Sequence, residues 1–177
     1  PILITVGINQ VAALLIAYGT ESQKKQHLPA IRQGEVIWCQ GFSEPHAGSD
    51  LASLRCKAER VGDEYVVNGS KIWTTAAHWA GWCLLLVRTD RSGRKQEGIT
   101  ILLLDMKTPG VTVRPIIGID GMHSLNEVFL DDVRIPVANR VGEENKGWAL
   151  MKVFLGHERI SAAGIWKCRQ HFERLCM

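Results

Sequence analysis

The sequence predicts an α+β fold, with helices at both ends enclosing a run of antiparallel strands between about residues 35 and 142. Three observations carry this. Helical punctuation fills the first 34 residues, strand-length apolar runs separated by turn clusters follow, and after Gly147 the apolar spacing becomes threes and fours. Strands grouped between helices indicate α+β rather than a parallel α/β fold, and without a G-x-G-x-x-G a Rossmann-type site is unsupported.

The elements follow in order. Residues 8–18 read as a buried helix stopped by Gly19. Thr20-Glu21-Ser22-Gln23 is a capping-box pattern that starts a second helix, which Pro29 is expected to break or kink and Gly34 to end. Residues 36–39 form a first strand, and 52–60 a second that turns at Gly62-Asp63. Residues 65–67 and 70–73 predict a hairpin turning at Asn68-Gly69; Asn68-Gly69-Ser70 also matches a glycosylation sequon. Residues 82–88 and 99–104 are continuous apolar strands on either side of a charged loop, 90–98. Thr108-Pro109-Gly110 turns the chain into a strand at 111–113, and 127–130 is the last clear strand. Met151, Phe154, Glu158, Ser161, Ile165, Cys168, Phe172 and Leu175 then share one face of a single long helix. A neighbouring stripe, Leu155, Ala162 and Trp166, competes; it would carry Arg159 and leave Glu158 at its edge. A carboxylate on such a seam must be paired, protonated or functional.

Composition narrows the class. With 177 residues, 46% hydrophobic and 22% charged, the chain is expected to fold and to be soluble. A formal charge of +3 without a dense basic stripe disfavours nucleic acid as a partner. Lys24-Lys25 and the basic loop 91–95 read as solvated surface, with phosphate contact the alternative. The five cysteines are scattered and never spaced C-x-x-C, which argues against disulfides or a metal site and for a reducing, cytoplasmic location. No apolar run has membrane-spanning length, and residues 1–19 lack the basic start of a signal peptide.

The segment Gly41-Phe42-Ser43-Glu44-Pro45-His46-Ala47-Gly48-Ser49-Asp50 leaves a buried strand and cannot form regular structure. It reads either as a surface turn or as a ligand-binding wall offering hydroxyls and glycine-flanked N–H groups. The run from Ser43 to Asp50 resembles the signature of the acyl-CoA dehydrogenase family. So do Lys71-Ile72-Trp73-Thr74-Thr75 and Asp131-Asp132-Val133-Arg134-Ile135-Pro136 followed by Val141-Gly142-Glu143-Glu144-Asn145-Lys146-Gly147-Trp148, in the family's order. The resemblance covers essentially the whole chain, while the chain covers only part of the family's length.

The resemblance implies a β-barrel-like middle domain at 35–142, the end of an amino-terminal helical domain at 1–34, and the start of a carboxy-terminal one at 143–177. It implies FAD as cofactor and desaturation of an acyl-CoA thioester, with a base taking the Cα proton and a hydride passing from Cβ to flavin N5. Gln40, Phe42 and Ser43 would border the flavin, Gly48 and Ser49 would lie near the cofactor and the pantetheine arm, Trp73 would stack on the ring, and Thr75 would reach towards N5. Glu158 matches the helix-borne base of isovaleryl-CoA and long-chain acyl-CoA dehydrogenases, with Arg159 the neighbouring arginine beside the substrate. The plainer reading of Glu158 is a buried acid paired with Arg159 or His157; Ser161 rules out a metalloprotease H-E-x-x-H.

Two departures stand out. His46 replaces a small residue, and Gln40 replaces an aromatic found in some members. The helical bundle that closes the acyl pocket, and brings FAD contacts across a subunit interface, is not in the chain, so these residues alone are expected to be inactive. Electron-transfer flavoprotein is the implied acceptor, a homo- or hetero-oligomer the implied assembly, and the cytoplasm, or the mitochondrial matrix in a eukaryote, the implied location. The alternatives are a catalytically silent partner subunit and a related flavin oxidase or monooxygenase.

Overall fold

The computed structural model describes the backbone of residues 2–176 and all of their side chains except those of residues 2, 3, 153, 157, 160–163, 166 and 167. The amino-terminal helix begins before residue 8. Helix α1 (Ile2–Thr5) passes through a π-helical turn, Val6–Val11, into α2 (Ala12–Tyr18). Packing outweighs the weak helix propensity of the β-branched residues here: Val11, Leu14 and Leu15 are buried against the sheet. Helix α3 (Glu21–Gln33) opens with the full capping box, in which Gln23 N donates to Thr20 Oγ1 at 3.2 Å and Thr20 N to Gln23 Oε1 at 3.0 Å. Pro29 does not break α3. The lost hydrogen bond falls between exposed residues, where water can replace it.

The β region is one mixed sheet of eight strands. These are β1 (Trp38–Gly41), β2 (Lys57–Val61), β3 (Glu64–Lys71), β4 (Trp82–Arg88), β5 (Ile99–Asp105), β6 (Val111–Ile117), β7 (His123–Pro136) and β8 (Arg140–Val141). Their order is β6-β7-β3-β2-β4-β5-β8, with β1 on β4, and the ends do not close. The expected α+β class holds, and the region expected to be antiparallel and barrel-like is an open mixed sheet, because β1 and β2 both run parallel to β4. They share one edge of β4: β1 lies opposite residues 82–85 and β2 reaches Arg88. The signature loop is the excursion between them.

Three strand expectations also change. Residues 51–53 form a 3-10 turn, and β2 starts only at Lys57. Asn68-Gly69 is not a hairpin turn; β3 runs through it, and the hairpin turns at Gly62-Asp63 instead. Pairing on both edges, with β2 and β7, overrides the local turn signal. Gly69 marks a register shift against β7, and a Cβ there would lie 2.8 Å from Cys56 Cα. Asn68 exchanges hydrogen bonds with Asp132, both at 2.9 Å. β7 has fourteen residues, far more than the expected 127–130.

Strand β4 is buried on both faces and splits the core by its period of two. Leu84 and Leu86 join Trp38, Phe42, Met151 and Phe154, while Cys83, Leu85 and Val87 join Cys39, Cys56 and Tyr65. The single long helix after Gly147 is two helices, α4 (Gly147–Ala163) and α5 (Ile165–Leu175), broken where Gly164 adopts φ 55°. Met151 and Phe154 are buried, but Ile165, Phe172 and Leu175 of the expected stripe are exposed. The side chains of His157, Ser161, Ala162 and Trp166 lie outside the described residues. Among the described residues no helix is long and apolar enough to cross a membrane.

Candidate active site

The loop after β1 is fastened from within. Glu44 and Ala47 exchange backbone N–H···O bonds at 3.0 Å, closing a tight turn over Pro45 and His46. The Glu44 side chain turns inward and is 2% exposed. It accepts from Lys71 Nζ at 2.7 Å, Arg55 N at 2.6 Å and Cys56 N at 2.9 Å, and His46 Nε2 stands 3.3 Å away. Lys71 is fully buried and also donates to the Phe42 carbonyl at 3.2 Å. Burial alone would raise the Glu44 carboxyl. The charge and hydrogen bond of Lys71, with the two backbone N–H groups, outweigh it and hold the carboxyl below its ordinary range. This pair joins the start of the loop, its far end and the end of β3.

Neither partner stands among the candidate site residues read from the sequence, though a signal exists. Lys71 falls in the inward phase set by Tyr65 and Val67, and a lysine there needs a buried anion.

A short strap, residues 72–76, leaves β3 beside this pair. Ile72 N donates to Ser43 O at 2.9 Å, Thr74 N to Asn126 O at 2.9 Å and Ala76 N to Ser124 O at 3.0 Å. The strap is thus laced between the loop and β7. Trp73 and Ala76 hold positive φ, 60° and 59°, which is unfavourable for residues with a Cβ and clusters at functional sites. Trp73 is 57% exposed, so burial of its own ring does not explain that backbone. Thr74 Oγ1 is buried with no hydrogen-bond partner among the described residues, and Thr75 is exposed.

The other candidate residues have distinct places. Gln40 is half-buried and donates to Gln10 of the π-helical turn. Phe42 is buried and meets Phe154 of α4 edge-on, with centroids 5.6 Å apart and planes at 72°. Ser43 is half-buried and bonded through its carbonyl to the strap. Gly48 and Ser49 stand apart on the exposed outer limb, where a Cβ on Gly48 would meet nothing within 4 Å. Glu158 is half-buried one helical turn beyond Phe154 on the same face of α4. Burial raises its carboxyl, opposed by the charge of Arg159, which is itself exposed. The fold therefore links the loop, the strap and α4 through Ser43, Ile72, Phe42 and Phe154.

The exposed indole of Trp73 and the exposed hydroxyl-bearing Thr75 of the same strap suit a flat, heteroatom-rich ligand. Among the described residues no cluster of His, Cys, Asp and Glu is placed to hold a metal ion.

The fold is an open mixed sheet interrupted by a polar loop, with a strained aromatic strap beside it. The family model described as "Acyl-CoA dehydrogenase, middle domain" matches residues 39–133, and the chain belongs to the acyl-CoA dehydrogenase family. It is 48% identical over 155 residues to acyl-CoA dehydrogenase FadE29 of Mycobacterium tuberculosis, across 88% of this chain and 40% of that protein. The solved Tcur3481-Tcur3483 steroid ACAD has a TM-score of 0.85 and 43% identity over 89% of this chain and 41% of that one. The ChsE4-ChsE5 complex of Mycobacterium tuberculosis has a TM-score of 0.81 and 44% identity over 86% and 39%. The chain thus spans about two fifths of the length of these relatives.

Proposed function

We propose that the full-length protein is an FAD-dependent acyl-CoA dehydrogenase and that this chain supplies one wall of its active site. The observation that carries the reading is the strap 72–76, strained, with Trp73 and Thr75 exposed, and bonded to the Ser43 loop within a segment matching the family. Bound FAD would supply the hydride acceptor for oxidation of the Cα–Cβ bond. Gln40, Phe42 and Ser43 border the ring, Trp73 packs against it, and the Thr75 hydroxyl hydrogen-bonds its edge. Gly48 and Ser49 admit the cofactor and the pantetheine arm. Glu158 takes the Cα proton, its raised carboxyl bringing it closer to the strength of a working base, with Arg159 beside the substrate.

The steroid ACAD among the similar structures supports a bulky, polycyclic acyl chain as substrate, and the two-protein ChsE4-ChsE5 complex supports a hetero-oligomer. Electron-transfer flavoprotein is the proposed acceptor and the cytoplasm the proposed location. The test is anaerobic addition of a steroid-bearing acyl-CoA to the FAD-loaded, full-length protein. Bleaching of the flavin band, followed by slow recovery in air, is expected. No bleaching with any acyl-CoA refutes the reading, and rapid recovery in air points to an oxidase.

A further inference from the structure

We infer that Asn126 is a positioning residue for the proposed reaction: set by His78 and His123, it holds the Trp73–Thr75 strap in the backbone conformation that presents Trp73 and Thr75. This rests on the flavin reading above and adds a residue that none of the sequence motifs contains.

Asn126 lies in β7 and is fully buried. Its main-chain carbonyl accepts from Thr74 N at 2.9 Å, and its side-chain Nδ2 donates to Thr74 O at 3.0 Å. One residue therefore grips both peptide planes that flank Thr74. Those planes set the directions of Trp73 on one side and Thr75 on the other. Pro115, opposite Asn126 in β6, has no N–H and makes no claim on the Asn126 carbonyl.

The amide is held the right way round. An asparagine side chain offers two donors and one acceptor centre, and all are used here. Nδ2 bonds Thr74 O and His78 Nδ1, the latter at 3.1 Å, and Oδ1 faces His123 Nε2 at 2.8 Å. With His78 accepting at Nδ1 and His123 donating from Nε2, a flipped amide would set oxygen against the Thr74 carbonyl. The two rings stack with centroids 3.9 Å apart and planes at 19°, so each limits the other's rotation. Burial, and then the neighbouring His123, lower the pKa of His78, which favours the neutral ring that can accept.

A general stabilising role would leave flavin chemistry alone; a positioning role would not. The test uses the full-length protein with FAD as the probe. In Asn126→Leu, the FAD Kd should rise at least about tenfold, the loss expected when a buried carbonyl loses its donor. The flavin absorption envelope should change, kcat should fall about tenfold or more, and KM for the acyl-CoA should change less than threefold. Amide exchange at Thr74 should quicken about tenfold with and without FAD. His123→Phe should shift each readout the same way, and His123→Gln, which restores a donor, should recover it.

An Asn126→Leu protein with unchanged FAD affinity, spectrum and Thr74 exchange overturns the proposal. If that variant does not fold, the His123 pair decides: Phe and Gln variants both matching the unsubstituted protein overturn it. An unsubstituted protein that takes up no FAD instead refutes the functional reading itself, a different result from uniform binding by all variants.

Discussion

Replacing Lys71 by methionine tests the fastening of the signature loop. The substitution keeps most of the aliphatic stem and removes the ammonium. Glu44 is then left 4% exposed with only the Arg55 and Cys56 N–H groups and His46 beside it, and the Phe42 carbonyl loses its donor. Breaking a buried pair from one side costs about 3–5 kcal/mol. For a domain of this size that is a fall in Tm of roughly 6–20 °C. The double variant Glu44→Gln/Lys71→Met removes the stranded charge and should recover part of the loss.

The pH dependence gives a sharper test. In the unsubstituted protein the Glu44 carboxyl lies below its ordinary value of 4.5, so its stabilisation is present above that value and is lost as pH falls through the folded pKa. In Lys71→Met the lysine no longer lowers the pKa and burial raises it, so the folded state binds the proton more readily. Its stability should then decline as pH rises through the raised pKa, and the deficit should shrink on acidification from pH 7 to 5. Urea denaturation at several pH values, followed by circular dichroism, measures both effects. A deficit under about 1 kcal/mol at pH 7, or pH profiles that run parallel, would refute the reasoning.

Three further outcomes are expected. Glu158→Gln should retain flavin but lose turnover by about 10²- to 10⁴-fold; kcat/KM of the unsubstituted enzyme should rise with pH through a carboxyl pKa above 4.5, and near-normal turnover in the variant would place the base elsewhere. Trp73→Gly relieves a positive φ on a half-exposed residue, so the flavin-free protein should gain about 0.5–1 kcal/mol while FAD affinity falls; a loss of stability by calorimetry counts against backbone strain. Gly69→Ala drives a Cβ to 2.8 Å from Cys56 Cα at φ 149° and should cost about 1–3 kcal/mol, read from the urea midpoint.

The helix starts, stops and apolar strands were legible because they follow from local chemistry. The Thr20-Gln23 capping box, Gly19 and Gly34 lie where the sequence predicts them, and β4 and β5 fall on their apolar runs. What misled was local signal overruled by distant partners. Asn68-Gly69 is a strong turn dipeptide, yet pairing with β2 and β7 keeps it extended. Gly164 was a candidate helix end, but the regular spacing of apolar residues on either side of it outweighed that signal. At the site, the signature loop and strap were visible as motifs, but their joining was not: the Ile72–Ser43 bond and the Glu44–Lys71 pair link residues 27 to 29 positions apart. Asn126 was invisible because its importance comes from a strap 52 residues earlier in the chain.

The shared edge of β4 has an evolutionary consequence. Because β1 and β2 are registered independently against the same strand, the chain between them is a graft between two fixed abutments. An exposed side chain of its outer limb, such as that of His46, can be exchanged without shifting any strand by a residue. The inner limb has no such freedom, since Glu44 is bound to Lys71, Arg55 and Cys56. Among related chains the buried acid and lysine should therefore change together or not at all.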